Sequence, residues 1–308
     1  MTSELRFRAM GSDCHLIVVG GAANLITQAR DRIEQLERRW SRFLPDSEVS
    51  TLNRRPGIPM VVSADTLVLV ERALQAKEMT NSLFEPTVLG DLMRAGYDRS
   101  FDQLGEQSEP AFTDLGQGPI AVIGPTVVLA PGTGLDPGGI GKGLAADMVS
   151  REMIMSGADG VCVNLGGDVR VSGRSPGTGP WTVSIDHPEL QYPLALVQLT
   201  DGAVATSTTL LRRWSTAEGR SHHLIDPRSG QPSRSDLVLV SVIAAEGWLA
   251  EAHAKAALLA GSGHCFDLVS TTGIEAMAVT AQGDVISTPG FDRFALGEPA
   301  ARLEEATL

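Results

Sequence analysis

The stretch with the most chemistry per residue is LDPGGIGKGLAAD, residues 135–147, where four glycines and one lysine lie between two aspartates. Glycine lets backbone N–H groups approach a ligand closely. The N-terminus of a following helix adds partial positive charge, and Lys142 adds a full one. Together they suit a phosphate or pyrophosphate, with Asp136 free to hold a ribose hydroxyl, a metal or a flavin edge. The competing reading is a turn packed tightly on a neighbouring strand, with Lys142 in water. On this segment alone the two stand level. A P-loop is excluded, because its first glycine would fall on Asp136 and its hydroxyl on Gly143. The dinucleotide fingerprint is formally met by 141–146, with Asp168 at a suitable distance, but the preceding strand ends near Ala130 and a Rossmann turn leaves its strand directly.

The elements that must position this stretch follow from periodicity. Apolar residues at helical spacing predict helices over 23–40 and 63–80, the second capped by Ser63 with Asp65 in its first turn. Strands are predicted at 10–20, 126–130, 160–173, 180–186, 194–207 and 235–245. Helices are predicted from Leu144 to Met155, over 248–260 with Gly261 as its stop, and near 264–270; a hairpin is predicted at 275–287. Strands and helices mix without βαβ alternation, which is an α+β pattern. The polar segment 104–118 reads equally as an internal boundary or as a surface insertion in one domain spanning 1–308.

Composition narrows the class. The chain has 308 residues and a formal net charge of −12, which disfavours a nucleic-acid backbone as partner. Cys14, Cys162 and Cys265 are scattered, as expected of buried thiols in a reducing compartment. No apolar run has the length of a membrane span and the first residues do not read as a signal peptide, so the expected location is the cytoplasm.

Seven segments occur in order: MGS at 10–12, WSRFLPDSEVSTLN at 40–53, LFEPTVLGDL at 83–92, the Gly-rich stretch, VNLGGDVRVSG at 163–173, AVATSTT at 203–209 and SHHLIDPRSGQP at 221–232. The series resembles the FAD:protein FMN transferases (ApbE-type, formerly thiamine-biosynthesis lipoproteins), from Met10 to about Gly261. The resemblance implies an ApbE-like fold of two mixed α/β lobes with a flavin-binding cleft between them. It also implies transfer of FMN from FAD to a Thr or Ser of a target protein, release of AMP, and assistance by Mg2+. It implies FAD contacts at Met10, Phe43, Leu83, Phe84, Glu85 (where Asp is usual), Asp136, Lys142, Thr206 with Ser207, His223 and Ile225. It puts Asn164, Gly166, Gly167 and Asp168 near the active cleft, Asp168 being equally readable as a turn carboxylate. Asp226 belongs to the same matching segment as His223. His222 and His223, as neighbours on an extended chain, point to opposite faces and do not suit one metal.

The resemblance places metal ligands at the Gly139 carbonyl and at a carboxylate followed four residues later by a hydroxyl. Here those two positions hold Glu251 and Lys255. Glu can ligate magnesium; an ammonium has no lone pair to give. Two readings follow. Glu251 and Lys255 form an i,i+4 ion pair of roughly 0.3–0.5 kcal/mol with the metal site lost, or the Lys255 ammonium takes the metal's place beside the pyrophosphate. Asp168 and Lys255 are accordingly the catalytic candidates. The alternatives to transfer are an FAD-binding protein, an FAD hydrolase yielding FMN and AMP and, outside the family, a nicotinamide-dependent oxidoreductase.

Overall fold

Most of the predicted apolar strands pair into one large antiparallel sheet, those at 126–130 and 180–186 lying in smaller sheets, in a computed structural model that describes residues 1–104, 108–109, 111–217, 219–269 and 273–297. Part of the predicted loop at 104–118 (residues 105–107 and 110), and the last residue of the helix expected near 264–270, lie outside the described residues. Among the described residues the α-helices are α1 (Leu25–Trp40), α2 (Glu48–Arg54), α3 (Ala64–Met79), α4 (Leu89–Arg94), α5 (Gly141–Met155) and α6 (Gly247–Ala260). The chain divides into two compact units. One comprises Met1–Ile33, Lys142–Leu210 and the chain from Ser235 onward; the other comprises Glu34–Gly141 and Leu211–Arg234.

The first unit is built on eight strands: β1 (Thr2–Ala9), β2 (Ser12–Val19), β3 (Gly160–Leu165), β4 (Asp168–Gly173), β5 (Gly202–Thr208), β6 (Leu237–Ala244), β7 (Glu275–Thr280) and β8 (Val285–Ser287). They lie side by side in that order, every pair antiparallel. The period of two along β4 sorts its side chains. Val169 and Val171 join Val204, Leu239, Ile243 and Met277 in a core closed by a second hairpin, Trp181–Asp186 with Pro193–Leu199. The alternate residues, Asp168 and Arg170, reach α5 instead.

Helix α6 packs on β5 and β6. All of it except Leu249 and Ala260 is buried. A helix covered all round needs small residues, and alanine is the commonest residue of α6. Glu251, His253 and Lys255 are therefore buried too, in a setting where charged side chains are rare unless paired.

The second unit holds α2, α3, α4 and a three-stranded sheet with Thr126–Leu129 between Met60–Val61 and Ile120–Ile123. Its small core gathers Val88, Leu92, Tyr97, Trp214 and Ile225. Ser63 caps α3 as expected, accepting from the Thr66 N–H.

Two expectations are corrected, and some elements went unpredicted. Helix α5 begins at Gly141 rather than Leu144, which brings Lys142 and Gly143 into its first turn. The segment from His264 to Val269 forms successive tight turns rather than a helix. Strand β1 and helices α2 and α4 went unpredicted. The first is an edge strand with alternately exposed residues and the others are short helices, none of which leaves a clear periodic signal.

Candidate functional site

Two hairpin turns meet at one end of the large sheet. Met10 and Gly11 join β1 to β2 with φ of 52° and 63°, and Gly166 and Gly167 join β3 to β4 with φ of 66° and 97°. Tight hairpins need positive φ at both central positions. Glycine supplies it freely; for methionine the left-handed region costs roughly 1–2 kcal/mol. The turns touch. A Cβ added at Gly166 would stand 2.6 Å from Ser12 Cβ, and the Gly166 N–H donates to the Asp13 carbonyl at 3.0 Å. The Lys142 side chain passes within 3.9 Å of the same point. Met10, the Asn164–Asp168 turn and Lys142 thus come together, although they are far apart in sequence. Asn164 braces its turn by accepting the Gly167 N–H at 2.9 Å.

Behind these turns is a buried ionic cluster. The Lys142 ammonium donates to Asp168 Oδ2 in a very short contact and to Glu251 Oε1 at 3.1 Å. The other oxygen of Glu251 accepts the Gly143 N–H at 2.8 Å. Asp168 also accepts the Thr206 N–H, and burial raises its pKa to about 6 against the opposing pull of Lys142. Thr206 Oγ1 is meanwhile hydrogen bonded to Ser241 Oγ at 2.8 Å. Lys255, one turn beyond Glu251 on α6, is buried as well.

A second rung runs parallel with its charges reversed. Asp147 on α5 pairs with Arg170 Nε at 3.1 Å, as Lys142 pairs with Asp168. Two residues along a strand span about 6.6 Å and five along a helix about 7.5 Å, so both rungs form without distortion. The helices also cap one another. The two oxygens of Asp147 accept the Gly247 and Trp248 N–H groups of α6 at 2.7 and 3.0 Å, while Glu251 of α6 caps the first turn of α5. Such proximity requires glycine on both sides. A Cβ at Gly143 would lie 2.3 Å from the Gly247 carbonyl oxygen, and one at Gly247 would lie 2.7 Å from that of Gly143.

The second unit holds the remaining predicted residues. Asp136 is buried against the equally buried Arg42, with Nε to Oδ1 at 2.9 Å, and accepts the Gly138 N–H at 3.2 Å. The Arg42 guanidinium lies 4.1 Å from the Phe43 ring centre and 4.6 Å from that of Tyr97. Phe43 is 37% exposed. Phe84 is buried, Leu83 half-buried, and Glu85 is held by Lys77 at 2.6 Å and by the Thr87 N–H at 3.0 Å. Ile225 sits in the small core, and Asp226 chelates the Arg228 guanidinium. His222 accepts the Leu224 N–H on Nδ1 and faces the Ser233 carbonyl with Nε2, so it is the neutral tautomer carrying its proton on Nε2, and burial lowers its pKa. Neither of its nitrogens is left for a metal. His223 is half-buried, and Gly139 follows Gly138 in the same Gly-rich turn.

The sequence pattern of the ApbE family matches residues 10–278. The chain belongs to the ApbE family. It is 30% identical over 280 residues to an FAD:protein FMN transferase of Treponema pallidum, an alignment covering 84% of this chain and 77% of that one. It is 29% identical over 299 residues to a Rhodobacter capsulatus protein of the same name, covering 90% of this chain but only 54% of the relative's length. Among solved structures, the ApbE protein of Thermotoga maritima superposes with a TM-score of 0.87 at 24% identity, covering 96% of this chain and all of that one. The flavin transferase ApbE of Vibrio cholerae gives 0.80 at 21%, covering 96% and 99%. These superpositions establish the ApbE fold, here an α+β chain with a large antiparallel sheet.

Within this ApbE-family chain several residues of the site escaped sequence reasoning. Arg42, Asp147, Arg170 and the Gly143–Gly247 contact are all defined by partners distant in sequence. Asp147 closes the Gly-rich stretch and Arg42 adjoins Phe43, so adjacency to a predicted residue was the only available signal.

Proposed function

We propose that this chain transfers the FMN half of FAD to a Thr or Ser hydroxyl of a target protein and releases AMP. The observation that carries the reading is the Lys142 ammonium, held between two buried carboxylates beside the Met10 and Gly166–Gly167 turns. Family membership supplies the reaction class, and the names of the relatives support it. The target hydroxyl oxygen bonds to the phosphorus of the FMN half. The bond from that phosphorus to the bridging oxygen breaks, and the bridging oxygen leaves with its electron pair on AMP. Such a transfer needs alignment and charge neutralisation more than covalent catalysis. Lys142 is pre-positioned to meet a diphosphate oxygen by exchanging one carboxylate for it. Asp168, acceptor of two donors and tuned upward by burial, takes the hydroxyl proton. Met10 is held in a strained turn where it can pack on a flavin. The exposed Phe43, backed by Arg42, offers a stacking surface, with Asp136, Leu83, Phe84, Glu85, Thr206, His223 and Ile225 completing the proposed FAD contacts.

Magnesium fits this donor set poorly. Lys142 already bridges both carboxylates, and Lys255 holds the position where the family resemblance expects an oxygen ligand, so no step is assigned to a metal. Among the described residues no three His, Cys, Asp or Glu side chains group to hold one. No described helix is long and apolar enough to cross a membrane. The three cysteines are free thiols, which supports a cytoplasmic location.

The test is incubation with FAD and a threonine-bearing flavinylation peptide. A peptide heavier by FMN, with AMP released, supports the transferase. AMP with unchanged peptide replaces it with the hydrolase reading, and bound FAD without AMP with the binding reading.

A further inference from the structure

We propose that Lys255 is a built-in cation that stands in for a divalent metal, so that this chain grips the diphosphate of its ligand without one. The inference rests on the FAD reading above. It starts from the composition of the cluster. Lys142 contacts Asp168 and Glu251, and Lys255 lies buried one turn beyond Glu251 on α6; together these are two ammonium groups and two carboxylates. Their formal charges sum to zero. A divalent cation added to them would leave two positive charges out of water, which is costly in a low-dielectric interior.

The donor atoms point the same way. Magnesium needs several oxygens in octahedral array. Glu251 Oε1 faces Lys142, Glu251 Oε2 accepts the Gly143 N–H, and Asp168 Oδ2 faces Lys142. At 255, one helical turn from Glu251 and on the same face, the residue offers only donors. Side chains on a helix lean toward its N-terminal end, which for position 255 is the turn that carries Glu251. A buried lysine is rare unless its charge is paired. A diphosphate entering the cluster would bring the negative charge that two ammonium groups can hold together.

The experiment uses the full chain stripped of metals. FAD affinity is measured by titration in EDTA and in excess Mg2+, and Mn2+ binding is followed by electron paramagnetic resonance. The wild type is expected to bind FAD equally in both buffers and to leave the Mn2+ signal unbound. Lys255→Thr, which restores an oxygen, is expected to gain Mn2+ binding and an FAD affinity that magnesium raises by roughly 5–150-fold, the usual range of coupling between two ligands. Lys255→Met, which removes the charge and restores nothing, is expected to lose affinity that magnesium does not recover. One Mn2+ bound per wild-type chain, or wild-type FAD affinity that collapses in EDTA, overturns the inference and leaves the FAD reading standing. Absence of FAD binding in every buffer overturns both. Should Lys255→Thr fail to fold, the wild-type titrations decide alone.

Discussion

Replacing Gly143 by alanine separates the two explanations of the Gly-rich stretch. If Gly143 exists so that backbone can approach a phosphate, Gly143→Ala should spare the fold and abolish ligand binding. The structure gives it another purpose. The new Cβ would lie 2.3 Å from the Gly247 carbonyl oxygen, 2.4 Å from its carbon and 2.7 Å from the Trp248 nitrogen, all backbone atoms that cannot rotate away. Relief requires α5 and α6 to part by about 1 Å, overpacking of a kind that costs roughly 1–3 kcal/mol. The same movement stretches three hydrogen bonds beyond useful length: Gly143 to Glu251 at 2.8 Å, and Gly247 and Trp248 to Asp147 at 2.7 and 3.0 Å. Each is a bond to a carboxylate, of a class that contributes about 1.5–3 kcal/mol. Partial loss of these, set against the 0.5–1 kcal/mol or so that alanine gains over glycine in a helix, leaves a net destabilisation of about 3 kcal/mol or more.

Gly141→Ala is the internal control. Its Cβ meets only Pro137 Cβ at 3.6 Å, ordinary contact, so stability should be unchanged or slightly raised. Thermal and urea unfolding of the two variants provide the assay, with Gly143→Ala expected to melt roughly 5–10 °C lower. A Gly143→Ala protein as stable as wild type, or a Gly141→Ala protein equally damaged, refutes the helix-crossing argument.

Three further outcomes are expected. Lys142→Met leaves Asp168 and Glu251 buried without their shared cation; loss of a partner of this kind costs about 3–5 kcal/mol, and an unchanged urea midpoint would show that the ammonium does not hold the cluster. For Asp147, burial raises the carboxyl to about 6 in the folded chain against the backbone donors Gly247 and Trp248 and the nearby Arg170, with Glu246 adding to the rise. The folded state therefore binds the extra proton, and this group's contribution is full below pH 4 and lost as pH climbs through 6, by about 3 kcal/mol in all. The difference in unfolding free energy between wild type and Asp147→Asn should accordingly drift across pH 4 to 6.5, whereas a flat difference removes the argument. Arg42→Lys keeps the charge but gives up the planar fork between Phe43, Tyr97 and Asp136. A loss of about 1.5–3 kcal/mol and weaker FAD binding are expected, and full retention of both would reduce Arg42 to a replaceable cation.

What could be read from the sequence was what depends on neighbours. Ser63 as a cap, Gly261 with its φ of 79° past the end of α6, and the 275–287 hairpin are local events written within a few residues. Lys142 was also legible from the glycines around it, and Asp168 and Glu251 from the resemblance to the family. What they touch was not. Lys142 and Glu251 are 109 positions apart, and nothing in a period of 3.6 or 2 says which carboxylate meets which ammonium. Helix α6 hid its full burial for a related reason: alanine's single methyl group is tolerated on a buried or an exposed face, so its pattern carries little amphipathic contrast.

The opening stretch illustrates how one motif can hold several unrelated answers. Gly138 gives its N–H to Asp136, Gly143 is pressed on Gly247, and Gly141 is sterically unconstrained beyond ordinary contact. Asp136 serves Arg42, and Asp147 caps α6. Counting glycines beside a lysine therefore overstates the backbone available to a ligand. At Gly143 the N–H that a phosphate would seek is taken by Glu251, a carboxylate of the chain itself. The same helix end that favours an external anion favours an internal one. The cluster is thus a site already occupied by its own charges. A ligand must displace part of that pairing, which ties binding to the balance between Lys142 and its two acids, with Lys255 buried one turn away on α6.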